Sequence, residues 1–264
     1  MTDTGRIVAV TGASSGIGLA AARLFRDRGD KVYCLSRTDP KEPGITFIHT
    51  DVTDEASVNA AFGAIGKAEG RIDVLLSNAG MGVSGAAECT TMQDAKRQLD
   101  VNFFGLHACV RAAVPLMRAH GGTILATSSV AAVFAIPFQA FYSASKFAVN
   151  ALVLALANEL KPFNIRVAAI MPGDVKTGFT GARIKAEDDD NYGQSVEKSV
   201  AVMERDEQNG MGPEMIAKKF VALSLKKHPK VLSTVGLQYK FFCFLGKVLP
   251  IRLQNFIVGK MYIK

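Results

Sequence analysis

Hydrophobic and polar positions along the chain follow two alternating periods. Short runs rich in β-branched residues are typical of buried strands, and longer stretches with apolar residues three and four apart predict helices. The strand pattern occurs at Ile7–Val10, Lys31–Leu35, Thr46–His49, Asp73–Leu76, Thr123–Thr127, Ile165–Ile170 and Val231–Val235. The helical pattern occurs at Gly18–Arg28, Asp54–Ala68, Met92–Arg118, Phe141–Leu160 and Pro213–Lys226.

This alternation of strand and helix predicts an α/β fold. Apolar strands that are separated by helices form a parallel sheet with both faces covered. We therefore expect a single doubly wound (Rossmann) domain over residues 1–236, built on a seven-stranded parallel sheet. Ligands of such sheets bind at the carboxyl ends of the strands.

Two segments depart from the repeating pattern. Residues 178–212 are rich in acidic and polar residues, which is typical of either a solvated insertion or a lid over a binding site. Because the segment follows the sixth predicted strand, a substrate lid is the favoured interpretation. Residues 237–264 form a predicted C-terminal extension. Its apolar residues are spaced three and four apart and interrupted at Pro250, which predicts two short amphipathic helices.

Composition narrows the class of protein. The chain has 264 residues, 48% of them hydrophobic, which suits a compact enzyme-sized globule. Its cysteines form no CxxC pair and its histidines lack metal-ligand spacing, so no metal is predicted and the cysteines are expected to be reduced core residues. The N-terminus lacks a secretory pattern and no apolar run is long enough to span a bilayer, which predicts a cytoplasmic protein.

The net charge of +7 is concentrated at the C-terminus. From Met215 to Lys264 there are ten basic residues and no acidic one, so the rest of the chain has a net charge of −3. A nucleic-acid-binding enzyme body is therefore not indicated. The basic amphipathic extension is expected to pack on the core, a pocket or a partner, and peripheral contact with a membrane surface is the alternative.

A glycine-rich turn follows the first predicted strand and precedes a helix. Three glycines allow a tight turn and let a pyrophosphate approach the amides at the helix N-terminus. A turn of the same composition without a ligand is the alternative. The residues predicted to bind a dinucleotide here are Gly12, Ser14, Ser15, Gly16, Ile17 and Gly18.

A second motif is Tyr142 and Lys146, one helical turn apart in the sequence YSASK. By themselves they could be an ordinary pair of neighbours on a helix face. A free tyrosine, with a pKa of about 10, is a poor acid or base near neutral pH. A lysine ammonium and an oxidised nicotinamide would both favour the phenolate. We therefore expect a lowered pKa for Tyr142.

The order of these two motifs resembles the short-chain dehydrogenase/reductase family. That family has Thr-Gly-x-x-x-Gly-x-Gly after its first strand and Tyr-x-x-x-Lys on a later helix. Its other landmarks follow in chain order as Ser77-Asn78-Ala79-Gly80, Asn102, Ser129 and Pro172-Gly173-Asp174-Val175-Lys176-Thr177. The resemblance extends from about Arg6 to Gly178, with Ser77 where the family usually has asparagine. The long C-terminal extension is more similar to the hydroxysteroid and retinol dehydrogenase branches than to acyl carrier protein reductases.

The resemblance implies a role for each matching residue. Tyr142 would exchange a proton with the substrate oxygen, Ser129 would hydrogen-bond the same oxygen, and Lys146 would hold the nicotinamide ribose. Asn102 would position a water beside Lys146. The remaining residues implied in cofactor binding are Asn78, Ala79, Gly80, Pro172, Gly173, Val175 and Thr177. Structural alternatives stay open for three residues: Ser129 as a turn residue, Asn102 as a satisfied buried amide and Thr177 as a loop cap.

The residues after the second strand indicate which nucleotide is bound. A carboxylate at this position binds the 2′-hydroxyl of NAD(H), whereas arginine accommodates the 2′-phosphate of NADP(H). The chain has Ser36 and Arg37 here, so NADP(H) is predicted in preference to NAD(H), with Arg37 as a mere surface charge the alternative. Asp51 and Val52 resemble the family's adenine-edge contact, although Asp51 could also belong to the cap of the next helix.

The loop between Ser129 and Tyr142 is apolar and contains Phe134, Phe138 and Phe141. In the family this loop faces the substrate, which predicts a hydrophobic ketone or alcohol such as a steroid. Packing of these rings in the core or an interface is the alternative. Reduction of a small aldehyde, quinone or acyl chain, and NADP(H) binding without turnover, are the competing hypotheses. The resemblance also implies a homodimer or homotetramer, because Met92–Arg118 and Phe141–Leu160 correspond to the family's long helices.

Overall fold

The computed structural model describes residues 5–187 and 190–263. It contains a seven-stranded, wholly parallel sheet in the order β3-β2-β1-β4-β6-β7-β9, which confirms the predicted fold class. The strands are β1 (Ile7–Thr11), β2 (Lys31–Ser36), β3 (Ile45–His49), β4 (Val74–Ser77), β6 (Gly122–Thr127), β7 (Ile165–Met171) and β9 (Leu232–Thr234). Two short strands absent from the sequence prediction, β5 (Val83–Ser84) and β8 (Ile184–Lys185), pair separately.

Helices connect the strands on both sides of the sheet. They are α1 (Gly16–Asp27), α2 (Glu55–Glu69), α3 (Met92–Leu99), α4 (Gly105–Met117), α5 (Ala140–Glu159), α6 (Ser195–Gln208), α7 (Pro213–Ser224), α8 (Leu237–Val248) and α9 (Ile251–Tyr262). The single helix predicted over Met92–Arg118 is interrupted by one π-helical turn, Asp100–Phe104. Such turns arise from local packing that periodicity does not report, and they are frequent at functional sites.

The core has two layers because successive strand residues face opposite sides of the sheet. Ala9 and Leu75 belong to the layer that α2, α4 and α5 cover. Val10 belongs to the other layer, where Phe25 of α1 and Phe220 of α7 pack together. Both layers are fully buried, as expected for strands whose residues are almost all apolar.

The segment 178–212 is not an irregular insertion. It contains β8 and the whole of α6, whose buried side chains Val196, Val200 and Met203 follow a helical spacing. The helical spacing was not recognised in the sequence because charged residues surround these three side chains. A partly buried ion pair between Arg183 and Glu207 ties the segment together. Its role as a lid remains a prediction.

The four cysteines are free. Cys34, Cys109 and Cys243 are buried as expected, while Cys89 is only partly buried and packs beside α6. Helix α5 is long and apolar enough to span a membrane by composition alone, although the prediction found no such stretch. It packs on β7 and the π-helical turn, which is the position of a core helix.

The strand order reverses between β1 and β4, because the chain builds outward from β1 first on one side and then on the other. Loops at the carboxyl ends of these two strands therefore diverge and leave a crevice. The helices that follow α7 lie over this edge of the sheet.

Candidate active site

One cavity runs along the carboxyl edge of the sheet and has a volume of about 1250 Å³. Small-molecule pockets usually occupy about 300–1,000 Å³, so this cavity has room for a dinucleotide and a substrate together. All predicted site residues except Gly18 and Asn102 line it. The lining set is Gly12, Ser14, Ser15, Gly16, Ile17, Ser36, Arg37, Asp51, Val52, Asn78, Ala79, Gly80, Ser129, Tyr142, Lys146, Pro172, Gly173, Val175 and Thr177.

The turn between β1 and α1 requires its glycines for conformation and for space. Gly12 and Gly16 have φ of +62° and +55°, a region that side chains rarely adopt. Gly18 lies behind the cavity, where an added Cβ would stand 2.3 Å from the carbonyl oxygen of Gly12. No side chain caps the N-terminus of α1. The exposed amides and the close-packed turn fit the pyrophosphate of a dinucleotide.

Ser129, Tyr142 and Lys146 meet in the middle of the cavity. Ser129 follows β6, and its hydroxyl accepts a hydrogen bond from the amide of Ala131 (3.1 Å). Tyr142 and Lys146 share one face of α5, with the Lys146 Nζ 5.7 Å from the centre of the Tyr142 ring. Lys146 donates to the main-chain oxygen of Thr127, at the end of β6 (2.9 Å). The carboxyl end of β6 and the residue Ser129 after it thus contact both Tyr142 and Lys146 of α5.

Burial governs the protonation of this group in the protein without cofactor. Burial raises the pKa of Tyr142 to about 12, while a hydrogen bond with Ser129 acts in the opposite direction. Burial also lowers the pKa of Lys146 to about 8. The expected lowering of the Tyr142 pKa assumed the charge of oxidised nicotinamide as well as that of Lys146, so it stays a prediction for the complex with cofactor. Without cofactor, desolvation of the phenolate is the largest effect and raises the pKa.

Asn102 lies behind the cavity, on the π-helical turn. Its side-chain oxygen accepts from the amide of Met81 (2.9 Å), and its nitrogen donates to the oxygen of Met81 (3.1 Å) and to Ser145 Oγ (3.0 Å). Ser145 in turn donates to the main-chain oxygen of Tyr142 (2.7 Å). The amide therefore joins the loop after β4 to the start of α5. This is the satisfied buried amide of the structural alternative, and the water-positioning role stays a prediction.

The far end of the cavity carries the residues expected at the adenosine. Ser36 is buried and donates its hydroxyl to the oxygen of Thr38 (2.7 Å), whereas Arg37 is exposed at the rim. Asp51 accepts from the amide and hydroxyl of Thr53 (2.9 and 2.7 Å). Burial raises the pKa of Asp51, but these hydrogen bonds and the charge of Arg37 leave it below its usual value. Asp54, not Asp51, caps α2 through the amide of Ala56.

The segment after β7 forms the opposite end. Thr177 lies against the glycine turn, and its hydroxyl accepts from the amide of Phe179 (3.3 Å), as a loop cap would. Its nicotinamide contact stays a prediction. Asp174 was quoted in the motif but given no role. Its carboxylate accepts from the Tyr239 hydroxyl (2.7 Å), and its amide donates to the same oxygen (3.1 Å).

Sequence reasoning missed the C-terminal wall of the cavity. Side chains on the inner faces of α8 and α9 line it, including Phe242, Leu245, Ile257 and Met261. Polar residues at the C-terminal end of α6, which contacts α9, also line it: Asp206, Glu207 and Asn209. The apolar spacing of the extension was the available signal, but periodicity does not say which surface a helix covers. The C-terminal part of the cavity is thus lined by apolar side chains of α8 and α9 and by polar side chains at the end of α6.

The apolar loop before Tyr142 divides between cavity and packing. Phe134 and Ile136 line the cavity. Phe138 instead contacts the ring of Tyr192, with centroids 5.9 Å apart, and packs in the small cluster below α6. Phe179, which the sequence did not single out, packs against the Tyr142 ring at 5.8 Å. The substrate-facing role was predicted for the whole loop and fits only part of it.

Comparisons with known proteins agree with this arrangement. Residues 6–188 match the family model of the short chain dehydrogenases. The chain is 39% identical to 3-ketodihydrosphingosine reductase of Bacteroides thetaiotaomicron over 236 residues, 88% of each chain. It is 38% identical to mouse 17-beta-hydroxysteroid dehydrogenase type 1 over 191 residues, 66% of this chain and 55% of the relative. The structure of a short-chain dehydrogenase from Streptomyces avermitilis covers 97% of both chains with a TM-score of 0.86 and 27% identity.

Proposed function

The chain belongs to the short chain dehydrogenase family, and on that premise we propose that it reduces a hydrophobic ketone to a secondary alcohol with NADPH. Members of this family are NAD(P)-dependent oxidoreductases; the choice of nucleotide and substrate is the proposal. One observation carries it. One cavity of about 1250 Å³ joins the glycine-rich turn after β1, the group Ser129, Tyr142 and Lys146, and the apolar side chains of α8 and α9.

The residues of the chain divide the chemistry as follows. Reduced nicotinamide, when bound, supplies the hydride. The Tyr142 phenol gives its proton to the carbonyl oxygen as that oxygen gains charge, and Ser129 donates a hydrogen bond to the same atom. Lys146 favours the phenolate that remains, since its ammonium lies one helical turn away.

The protonation state of Tyr142 in the free enzyme supports reduction as the favoured direction. With a pKa raised to about 12 by burial, the phenol is protonated at neutral pH and can act as the acid. Oxidation of an alcohol needs the phenolate instead. The positive charge of oxidised nicotinamide would favour that form, which explains how one site can run both ways.

The residues at the rim of the cavity support NADP(H) as the preferred cofactor. Arg37 is exposed at the carboxyl end of β2, next to Ser36, which has no charge to repel a phosphate. A guanidinium at this position can bind a 2′-phosphate through two parallel hydrogen bonds.

The apolar and polar lining of the C-terminal part of the cavity supports an amphiphilic substrate. A long apolar chain fits against Phe242, Leu245 and Ile257, while a polar head group fits the end of α6, where Asp206 and Asn209 line the cavity. The Bacteroides relative is named for the ketone 3-ketodihydrosphingosine, which is therefore the first substrate to test. A steroid ketone is the second, in view of the hydroxysteroid dehydrogenase relative.

The assembly and location of the enzyme belong to the same proposal. Exposed apolar side chains on the π-helical turn and α5, namely Phe104, Phe147 and Leu154, support a homodimer or homotetramer built through these helices. The enzyme works in the cytoplasm. A substrate that partitions into bilayers favours membrane contact through the C-terminal extension.

The test is loss of NADPH absorbance with a panel containing a 3-keto sphingoid base, a steroid ketone, a short aldehyde and a quinone. Replacing Tyr142→Phe should lower turnover by at least about 1,000-fold, since it removes the proton donor, and leave NADPH affinity within about threefold. Tyr33→Phe, which removes a phenol oxygen outside the cavity, is the matched control. Unchanged turnover in Tyr142→Phe would refute the catalytic assignment. Tight NADPH binding with no turnover of any ketone would favour the binding-protein hypothesis.

A further inference from the structure

Helix α8 has two apolar faces. Tyr239 and Cys243 are buried against the protein. On the opposite side, Leu237, Phe241, Phe244 and Val248 recur at helical spacing and are 55–84% exposed. A soluble surface rarely exposes such a continuous apolar stripe without a partner.

Helix α9 continues the same arrangement. The Gln254 side chain is buried and donates to the main-chain oxygens of Gly246 and Leu249, which ties α9 to α8. Leu253 and Phe256 are exposed on its other side, 43% and 61%. We define the outer face as the exposed apolar residues Leu237, Phe241, Phe244, Val248, Leu253 and Phe256.

Basic side chains accompany the outer face. Lys240 and Lys247 are exposed on α8, and Arg252 and Lys260 on α9, with Lys260 over the ring of Phe256 at 5.8 Å. The sequence has no acidic residue after Glu214. Aromatic and aliphatic side chains among lysines and arginines are the composition that binds at the interface of an anionic bilayer.

Charge distinguishes a bilayer from a second copy of the chain. In a two-fold symmetric contact the same patch meets itself, so the four cations of each copy would face one another. Such like charges repel, whereas anionic lipid head groups attract all four. The charge distribution therefore favours the lipid surface as the occupant of the outer face.

We propose that the outer face of α8 and α9 docks on an anionic lipid bilayer, and that the inner faces of the same helices receive the substrate from it. The delivery of substrate rests on the proposed function and deepens it, whereas the docking of the outer face does not depend on it. Phe242 and Leu245 line the cavity, and their sequence neighbours Phe241 and Phe244 belong to the outer face. Two turns of α8 therefore separate the cavity from the outer face. A lipophilic ketone would then reach Tyr142 without crossing water.

The experiment is co-sedimentation of the full chain with vesicles of phosphatidylcholine alone or with phosphatidylglycerol. Binding is expected only to the anionic vesicles and should weaken at high salt. Lys240→Gln with Lys247→Gln should weaken binding about 25-fold, because each lysine near an anionic surface contributes about fivefold. The matched control is Lys226→Gln with Lys227→Gln, the same charge change beside the start of β7 at the opposite edge of the sheet. It should change binding by less than about twofold.

A second variant tests the apolar part. Phe241→Ser with Phe244→Ser should weaken binding at least about tenfold, since it removes two rings that would be buried in the interface. Turnover of a short soluble ketone without vesicles reports on the proposed function separately and should not change. Failure of the active enzyme to bind anionic vesicles would overturn the proposal, as would equal weakening by the two lysine pairs. A smaller oligomer by light scattering with unchanged vesicle binding would instead identify the outer face as a contact between copies.

Discussion

The buried ammonium of Lys146 makes a quantitative prediction about stability and pH. The side chain is 4% exposed, and among the described residues its Nζ is assigned one hydrogen bond, to the oxygen of Thr127. Burial lowers its pKa from 10.5 to about 8 in the folded protein without cofactor. The perturbation that tests this is Lys146→Met, which keeps the length of the side chain and removes the titrating group.

The magnitude follows from the two pKa values. Between pH 8 and 10.5 the unfolded chain binds a proton that the folded chain has released, so stability rises with pH in this window. The contribution is close to zero at pH 7.5 and reaches about 2–3 kcal/mol at pH 10. It is fully present above pH 10.5 and is lost as the pH falls through 8. The variant should lack this increase.

The assay is urea unfolding without cofactor at several pH values from 7.5 to 10. The chain contains no tryptophan, so circular dichroism should follow the transition. The raised pKa values of Tyr142 and Cys109 act in the opposite direction at high pH. To a first approximation their contributions cancel when the difference between wild type and variant is taken. Lys161→Met, at an exposed position, should follow the wild type. Parallel curves for wild type and Lys146→Met would refute the reasoning.

Two further predictions concern opposite ends of the cavity. Arg37→Ala should weaken the binding of NADPH about 10- to 100-fold and that of NADH less than about threefold, because only NADPH has a 2′-phosphate for the guanidinium. Titration with both nucleotides measures the two affinities. Equal weakening would contradict the assignment of Arg37. Tyr239→Phe should lower the free energy of unfolding by about 1.5–3 kcal/mol at neutral pH, because it removes the hydrogen bond to the Asp174 carboxylate. Urea unfolding checks the second value, and a change below 0.5 kcal/mol would show that this bond does not hold α8 in place.

Features that are local in sequence were predicted correctly. All strands of the main sheet appear where β-branched runs occur, because a strand buried on both faces must be apolar throughout. The glycines of the turn after β1 and the pair Tyr142 and Lys146 could also be recognised, since a few adjacent residues determine their geometry. The seven-strand order then brings them into one cavity, as the resemblance implied.

Helix α6 shows where pattern reading fails. Its buried residues Val196, Val200 and Met203 have helical spacing, but the charged residues between them resemble those of a solvated loop. The helix is stabilised by the side chains on which it packs, and the partly buried pair of Arg183 and Glu207 holds it to the preceding segment. Tertiary packing, not intrinsic propensity, decides such a helix.

The sequence by itself determined the fold, and it was enough to predict the nucleotide-binding turn and the catalytic group, because each depends on neighbouring residues or on a repeating period. Only the tertiary structure decided which surface the C-terminal helices cover, since the bond between Asp174 and Tyr239 joins residues 65 positions apart. It also decided the sign of the Tyr142 pKa shift. The spacing of Tyr142 and Lys146 can be read along one helix, but desolvation depends on every element that closes around the phenol, and in this fold desolvation is the largest cause of the shift.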